Sequence, residues 1–269
     1  MVALGIRLSD AGVGDYWDNV DSLVRNQLVE GQLVRADLLQ AISDISPERP
    51  PEKCSPYPNQ ETQENVIARS LGNFAGKSTP TSIPEPWVMQ CCTGNGTQGL
   101  YYGWEGIVRE DGDQAQVNLL LNRAARSLDI DSYLPHEGKV VIHNKSLRRV
   151  SVRIPAWVAR GEIRADVSGA ARPPAWVGNY LMFDDLKPGD KIGVHFPINE
   201  TTASYTAASG TADQQVYKCT FRGSTLVDIS PRDDSPSSYP LYVRDGMRRE
   251  ETPLKETTRY VADRTILHW

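Results

Sequence analysis

The chain has little cysteine: four residues in 269, at positions 54, 91, 92 and 219. Four thiols in a chain of this size build no disulfide framework, which excludes the small stapled-domain class and predicts a reducing compartment. No run of about 18 apolar residues exists, so no membrane span is expected. A basic excess is also missing. Lys and Arg number 29 against 34 Asp and Glu, a net charge of −5, and no basic stripe is visible. Nucleic acid is therefore not an expected partner. The opening MVALGIRLSDAG lacks the longer apolar stretch and small-residue cleavage site of a secretory signal, so the expected location is cytoplasmic. Without export, the sequons at Asn95, Asn144 and Asn199 read as chance matches. What remains is an ordinary globular composition, 39% apolar and 23% charged, long enough to bury a core.

The character of the text changes near residue 110. Before it, helical spacing dominates. Trp17, Val20, Val24 and Leu28 recur every three or four residues, and Asp15 and Asp18 sit where a helix N-terminus favours negative charge. Leu33 to Ile42 reads as a second short helix or a continuation. From Ser46 to Pro86 prolines cluster with Ser, Thr, Asn and Gly, which predicts a long loop with one helix at 61–74. After Gly94-Asn95-Gly96, read as a turn, Thr97 can cap a helix carrying Leu100, Tyr101, Trp104, Ile107 and Val108. Core packing is the plain reading of those aromatics. Beyond residue 110 the period becomes two. Val140 and Ile142, then Val150, Val152 and Ile154, then Ile192, Val194 and Phe196 alternate with polar residues. Turns at Glu137-Gly138, Asn144-Lys145, Lys187-Pro-Gly-Asp190 and Arg222-Gly223 complete the pattern of a β-sandwich. YKCTFRGSTLVDISP holds two further candidate strands, Tyr239 to Arg244 one more, and Ala262 to Trp269 an apolar tail suited to docking.

Two of the four cysteines are adjacent, in PWVMQCCTGNGTQG. Three readings compete: a vicinal disulfide, two core thiols, or a metal–thiolate centre. The first meets a geometric obstacle, because neighbouring Cα atoms lie ~3.8 Å apart, below the usual disulfide range. For the third, a helix start or a bound metal lowers a thiol pKa, and two consecutive thiolates can reach one zinc ion. Zinc takes about four ligands. Cys54, Cys219 and the histidines 136, 143, 195 and 268 are available, but no spacing shows them converging.

WVMQCCTGNGTQGLYYGWEGIV, followed by QVNLLLNRAARSLDIDSYLPHEGKVVI, resembles the β-L-arabinofuranosidases of glycoside hydrolase family 127. LSDAGVGDYWDNVDSLVRNQLVE and STLVDISPR, with YPLYVR after it, resemble the same family, so the likeness runs along essentially the whole chain. It implies an α+β multidomain fold, with the remnant of an (α/α)6 barrel followed by an antiparallel β-sandwich. The implied parts are a partial helical toroid at 1–110, a β-sandwich at 111–200 and a β-rich segment at 201–269. By the same resemblance Cys91 is the nucleophile of a retaining glycosidase and a zinc ligand, and Cys92 is a second zinc ligand. The implied partner is an arabinose-containing glycan.

One departure stands beside the match. The family carries a Glu-x-Cys element and an acid/base glutamate upstream of the cysteine pair, and here Glu52-Lys53-Cys54 is the nearest text, in the proline-rich loop. The element is read as missing here: Glu52-Lys53-Cys54 has its spacing but lies in the proline-rich loop. The expectation is a fragment that is inactive alone, with an upstream half-protein or a homo-oligomer as partner and an exposed apolar patch on its helical part. The alternative is a non-catalytic sandwich module that binds sugar through Trp157, Trp176 and Tyr180.

Overall fold

The computed structural model describes residues 1–47, 64–84, 86 and 88–261. Cys54, and the tail from Ala262 to Trp269, lie outside the described residues. Helix α1 (Val2–Asp10) leads into α2 (Trp17–Ser22), which continues through a π-helical turn at Leu23–Leu28 and a 3-10 turn at Val29–Gly31. Then come α3 (Ala36–Ile45), α4 (Val66–Ser70), β1 (Ser82–Pro84) and α5 (Gln90–Gly106). Strands follow: β2 (Val108–Asp111), β3 (Gln114–Val117), β4 (Arg123–Ala124), β5 (Leu128–Ser132), β6 (Lys139–Asn144) and β7 (Arg149–Arg153). The chain goes on through β8 (Arg164–Val167), β9 (Ala170–Arg172), β10 (Ala175–Val177), β11 (Tyr180–Phe183) and β12 (Lys191–His195). It closes with β13 (Glu200–Ala207), β14 (Gln215–Arg222), β15 (Thr225–Ser230) and β16 (Ser238–Pro240).

Two sheets share one apolar interior. The first has the order β10-β11-β7-β3-β2 and the second β4-β5-β6-β12-β8-β9. Period-two text does the work: Val150 and Val152 from one sheet, and Val140, Ile142, Ile192 and Val194 from the other, are fully buried in the same core. The pairing is antiparallel throughout both sheets except for β3 beside β7, which run parallel. This corrects the expectation of a purely antiparallel sandwich. A hairpin at Gly112 turns β3 back on β2, and β3 then docks beside a strand far along the chain.

A third sheet, β13-β14-β15, stands apart from the sandwich core and has its own small cluster around Cys219, Leu226 and Ile229. Asn26, on the π-helical turn, ties it to the helices: its amide donates to the Ser224 carbonyl, and its oxygen accepts from the Leu226 N–H. Buried Arg244 completes the joint, bonding Glu30, the Leu226 carbonyl and the Arg25 carbonyl.

Several expectations shift. The expected turn at Gly94-Asn95-Gly96 is helical, and α5 begins seven residues earlier than Thr97. Thr97 caps nothing and donates back to the Thr93 carbonyl. Val108, read as helical, opens β2. The second helix starts at Ala36 rather than Leu33, the helix at 61–74 shrinks to α4 among the described residues, and Tyr239 to Arg244 is a strand only over β16. Helix α1 and strand β13 answer to no reading of the sequence. Strand β13 is exposed along most of its length, so its Thr, Ser and Ala residues carry no burial alternation.

Candidate functional site

Helix α5 displays the cysteine pair, and glycine explains how. Gly96, Gly99, Gly103 and Gly106 recur along one face and let the helix sit close against its neighbours. A Cβ on Gly96 would meet the Phe74 ring at 2.5 Å, and one on Gly103 would meet the Val24 Cγ2 at 2.8 Å. Gly94, off that face, has nothing within 4 Å. At the start of the helix, the Phe74 N–H donates to the Thr93 hydroxyl, and Ala75 bridges to Val88. These contacts fix the turn that carries the thiols.

Cys91 and Cys92 therefore lie in the first turn of α5, where no side chain caps the free backbone N–H groups and the helix dipole favours negative charge. Cys91 is exposed and Cys92 half-buried; both are free thiols with Sγ atoms 3.9 Å apart. That distance excludes a disulfide between them, and their exposure removes the core-thiol reading. The Cys92 thiol is pushed above its ordinary value, first by desolvation and then by the Cys91 sulfur beside it. It also donates to the Met89 sulfur at 3.7 Å. Cys219 is elsewhere, buried on β14 with its thiol pushed up by burial.

The donor chemistry can be tested against zinc. Two ligands of a tetrahedral ion with Zn–S bonds of ~2.3 Å lie roughly 3.8 Å apart. The pair matches one edge of such a tetrahedron. Among the described residues no group of three or more His, Cys, Asp or Glu is placed to hold a metal ion. The residues fit half of a zinc site. Neither His143, bonded to Asp131 at 2.8 Å, nor His195, 3.5 Å from Asp166, joins the thiols; both sit on sandwich strands.

The proposed sugar-stacking trio is dispersed in its contacts. Trp157 stands edge-on to Phe196, with its indole N–H on Ser224 and the Gly223 turn against its ring. Trp176 is covered on one face by Arg160. Tyr180 instead lines a cleft of about 580 Å³ between the α1–α2 connection and the first sheet. Sequence reasoning missed its other residues, because they come from four separated segments and form no local motif.

No family model matches the sequence, and no curated protein does. Solved structures do. A GH127 β-arabinofuranosidase aligns over 84% of this chain and 35% of its own, with 17% identity and a TM-score of 0.53. This chain has the fold of part of a GH127 enzyme. A GH127 β-L-arabinofuranosidase from Geobacillus stearothermophilus T6 aligns over 78% of this chain and 32% of its own, at 14% identity and a TM-score of 0.43. A glycoside hydrolase aligns over 78% and 33%, at 15% identity and a TM-score of 0.46. The chain spans about a third of the length of these three structures. Among the described residues no helix is long and apolar enough to cross a membrane.

Proposed function

We propose that this chain is the C-terminal part of a GH127-type glycoside hydrolase, with an arabinose-containing glycan as substrate and Cys91 as nucleophile. The observation that carries the reading is the free thiol pair at 3.9 Å on the first turn of α5, with Cys91 exposed, in a chain with this fold. Cys91 and Cys92 would hold zinc. When bound, the ion keeps its cysteine ligands deprotonated at neutral pH. Cys91, the exposed member, offers its sulfur to an anomeric carbon; Cys92, the half-buried member, fixes the pair's orientation. A retaining reaction also needs an acid that protonates the leaving oxygen and then activates water. Among the described residues no third His, Cys, Asp or Glu joins the thiols in a metal-holding group, so the pair is half of a zinc shell.

The helices are, in this reading, the remnant of the (α/α)6 toroid. Exposed Leu4, Val13, Val34 and Ile45 on the helical part support it, since these are the side chains that further helices would cover. These 269 residues by themselves are then inactive, and activity needs the acid and the remaining ligands from outside them. The test is hydrolysis of p-nitrophenyl β-L-arabinofuranoside by the purified chain with zinc. No turnover is expected. Turnover that Cys91→Ala abolishes would show the chain to be catalytically complete, and turnover indifferent to Cys91→Ala would remove the thiol from the mechanism.

A further inference from the structure

The cleft that holds Tyr180 lies far from the thiols. Helix α5 has 17 residues, so its two ends stand roughly 25 Å apart. Arg109, just past its C-terminal end, lines the cleft, while the cysteines begin the helix. A volume of about 580 Å³ is in the ordinary range of ligand pockets, ~300–1,000 Å³.

The walls are polar and held in place. On one side Arg109 bonds Asp10 at 3.1 Å and the Glu105 carbonyl at 3.2 Å. Opposite, Arg160 donates to the Gly178 carbonyl at 2.7 Å and lies over Trp176. At the base, Asp15 accepts from Asn179, from the Trp17 N–H and from Arg153, which is itself 3% exposed and also bonds Asp18. Tyr180 donates to Asn118 at 2.8 Å, and Gln116 lies beside it. Burial pushes the Tyr180 hydroxyl up to about 12, so it remains protonated at neutral pH.

Charge decides the ligand class. The lining carboxylates Asp10 and Asp15 and the lining guanidiniums Arg109 and Arg160 sum to zero, with Arg160 donating to the Gly178 carbonyl and the Asn179 carboxamide. No net charge therefore draws an ion into the cleft. A neutral molecule with many hydroxyls finds fixed carboxamide, phenol and guanidinium groups, each able to exchange hydrogen bonds with water for bonds with vicinal hydroxyls. We propose that this cleft is a second saccharide-binding site, taking a neutral mono- or disaccharide against Tyr180, Gln116, Asn179 and Arg160. The proposal is independent of the thiol chemistry, and it would let the chain hold a glycan at two separated points.

Saturation-transfer NMR on the full chain with L-arabinose, cellobiose and galacturonic acid tests it. The neutral sugars should receive saturation and galacturonic acid little. Gln116→Ala and Arg160→Ala should each weaken neutral-sugar binding about tenfold, the loss of roughly one good hydrogen bond. Arg160 is exposed, so its truncation keeps the fold, which thermal unfolding verifies. The site is refuted by absence of transfer to both neutral sugars or by binding indifferent to both cleft variants. Equal binding of galacturonic acid would overturn the assignment to neutral ligands.

Discussion

Strands β6 and β12 and helix α5 are all buried against neighbours, by opposite means. In the sandwich, Val140, Ile142, Ile192 and Val194 fill the space between two sheets with branched side chains. In α5 the space is closed by removing side chains, so that Phe74, Val24, Leu28 and Ile6 rest on the helix backbone at four glycines. The sandwich gains its stability from apolar volume; the helix gains closeness, and with it a fixed platform for the two thiols. Close packing tolerates changes of volume in neither place, but the sign of the substitution that damages each differs.

Removing volume tests the sandwich. Ile142→Ala should cost about 2–5 kcal/mol, read from urea unfolding, because Ile142 is fully buried in the shared core. Adding volume tests the helix. Gly96→Ala should cost about 1–3 kcal/mol by driving a methyl into the Phe74 ring. Gly94→Ala, two residues away with open space around it, should instead stabilise by about 0.5–1 kcal/mol. If both glycine variants move stability the same way, the close-packed face is not what holds α5 in place.

The contact between the α1–α2 connection and sandwich strand β7 is electrostatic and carries a pH signature. Burial alone would raise Asp15, but bonds from Asn179 and Arg153 and the Arg153 charge outweigh it and hold the carboxyl below its ordinary value of 3.8. A depressed carboxyl lends stability that is complete above its unfolded value and is lost as pH falls through its folded value. The stability gap between the parent and Arg153→Met should thus be largest near pH 6 and narrow below about pH 4. A gap that stays constant over that range would mean Asp15 does not draw on Arg153.

The smallest effect concerns the thiols. Among the three described cysteines iodoacetamide should label Cys91 first and Cys219 last, following their exposure, with mass spectrometry of the peptides as the readout. Fast labelling of Cys219 would show that the third sheet opens readily.

The same contrast explains what could be read from the sequence. Strands β6, β7 and β12 were legible because branched residues alternate with polar ones, whereas β14 and β15 were legible only as candidates in less regular text. Their turns were legible from residues such as Lys187-Pro-Gly-Asp190. Helix α5 was misread at its start because glycine there signals a turn to any local rule, whereas its cause is the ring of Phe74, distant in sequence and pressed on Gly96. The cysteine pair was legible as a candidate through its rarity and through family resemblance. Its exposure and its 3.9 Å spacing were not, since both depend on where α5 begins. Asp10, Gln116, Arg160 and Asn179 left no trace, because only the tertiary fold brings α1, the sheet and the turns together.

The measurement closest to the central claim is X-ray absorption at the zinc edge of the metal-loaded chain. Two sulfur neighbours at about 2.3 Å are predicted, falling to one in Cys91→Ser and to none when both cysteines are replaced. A zinc shell without sulfur, or a sulfur count untouched by those replacements, would contradict the account.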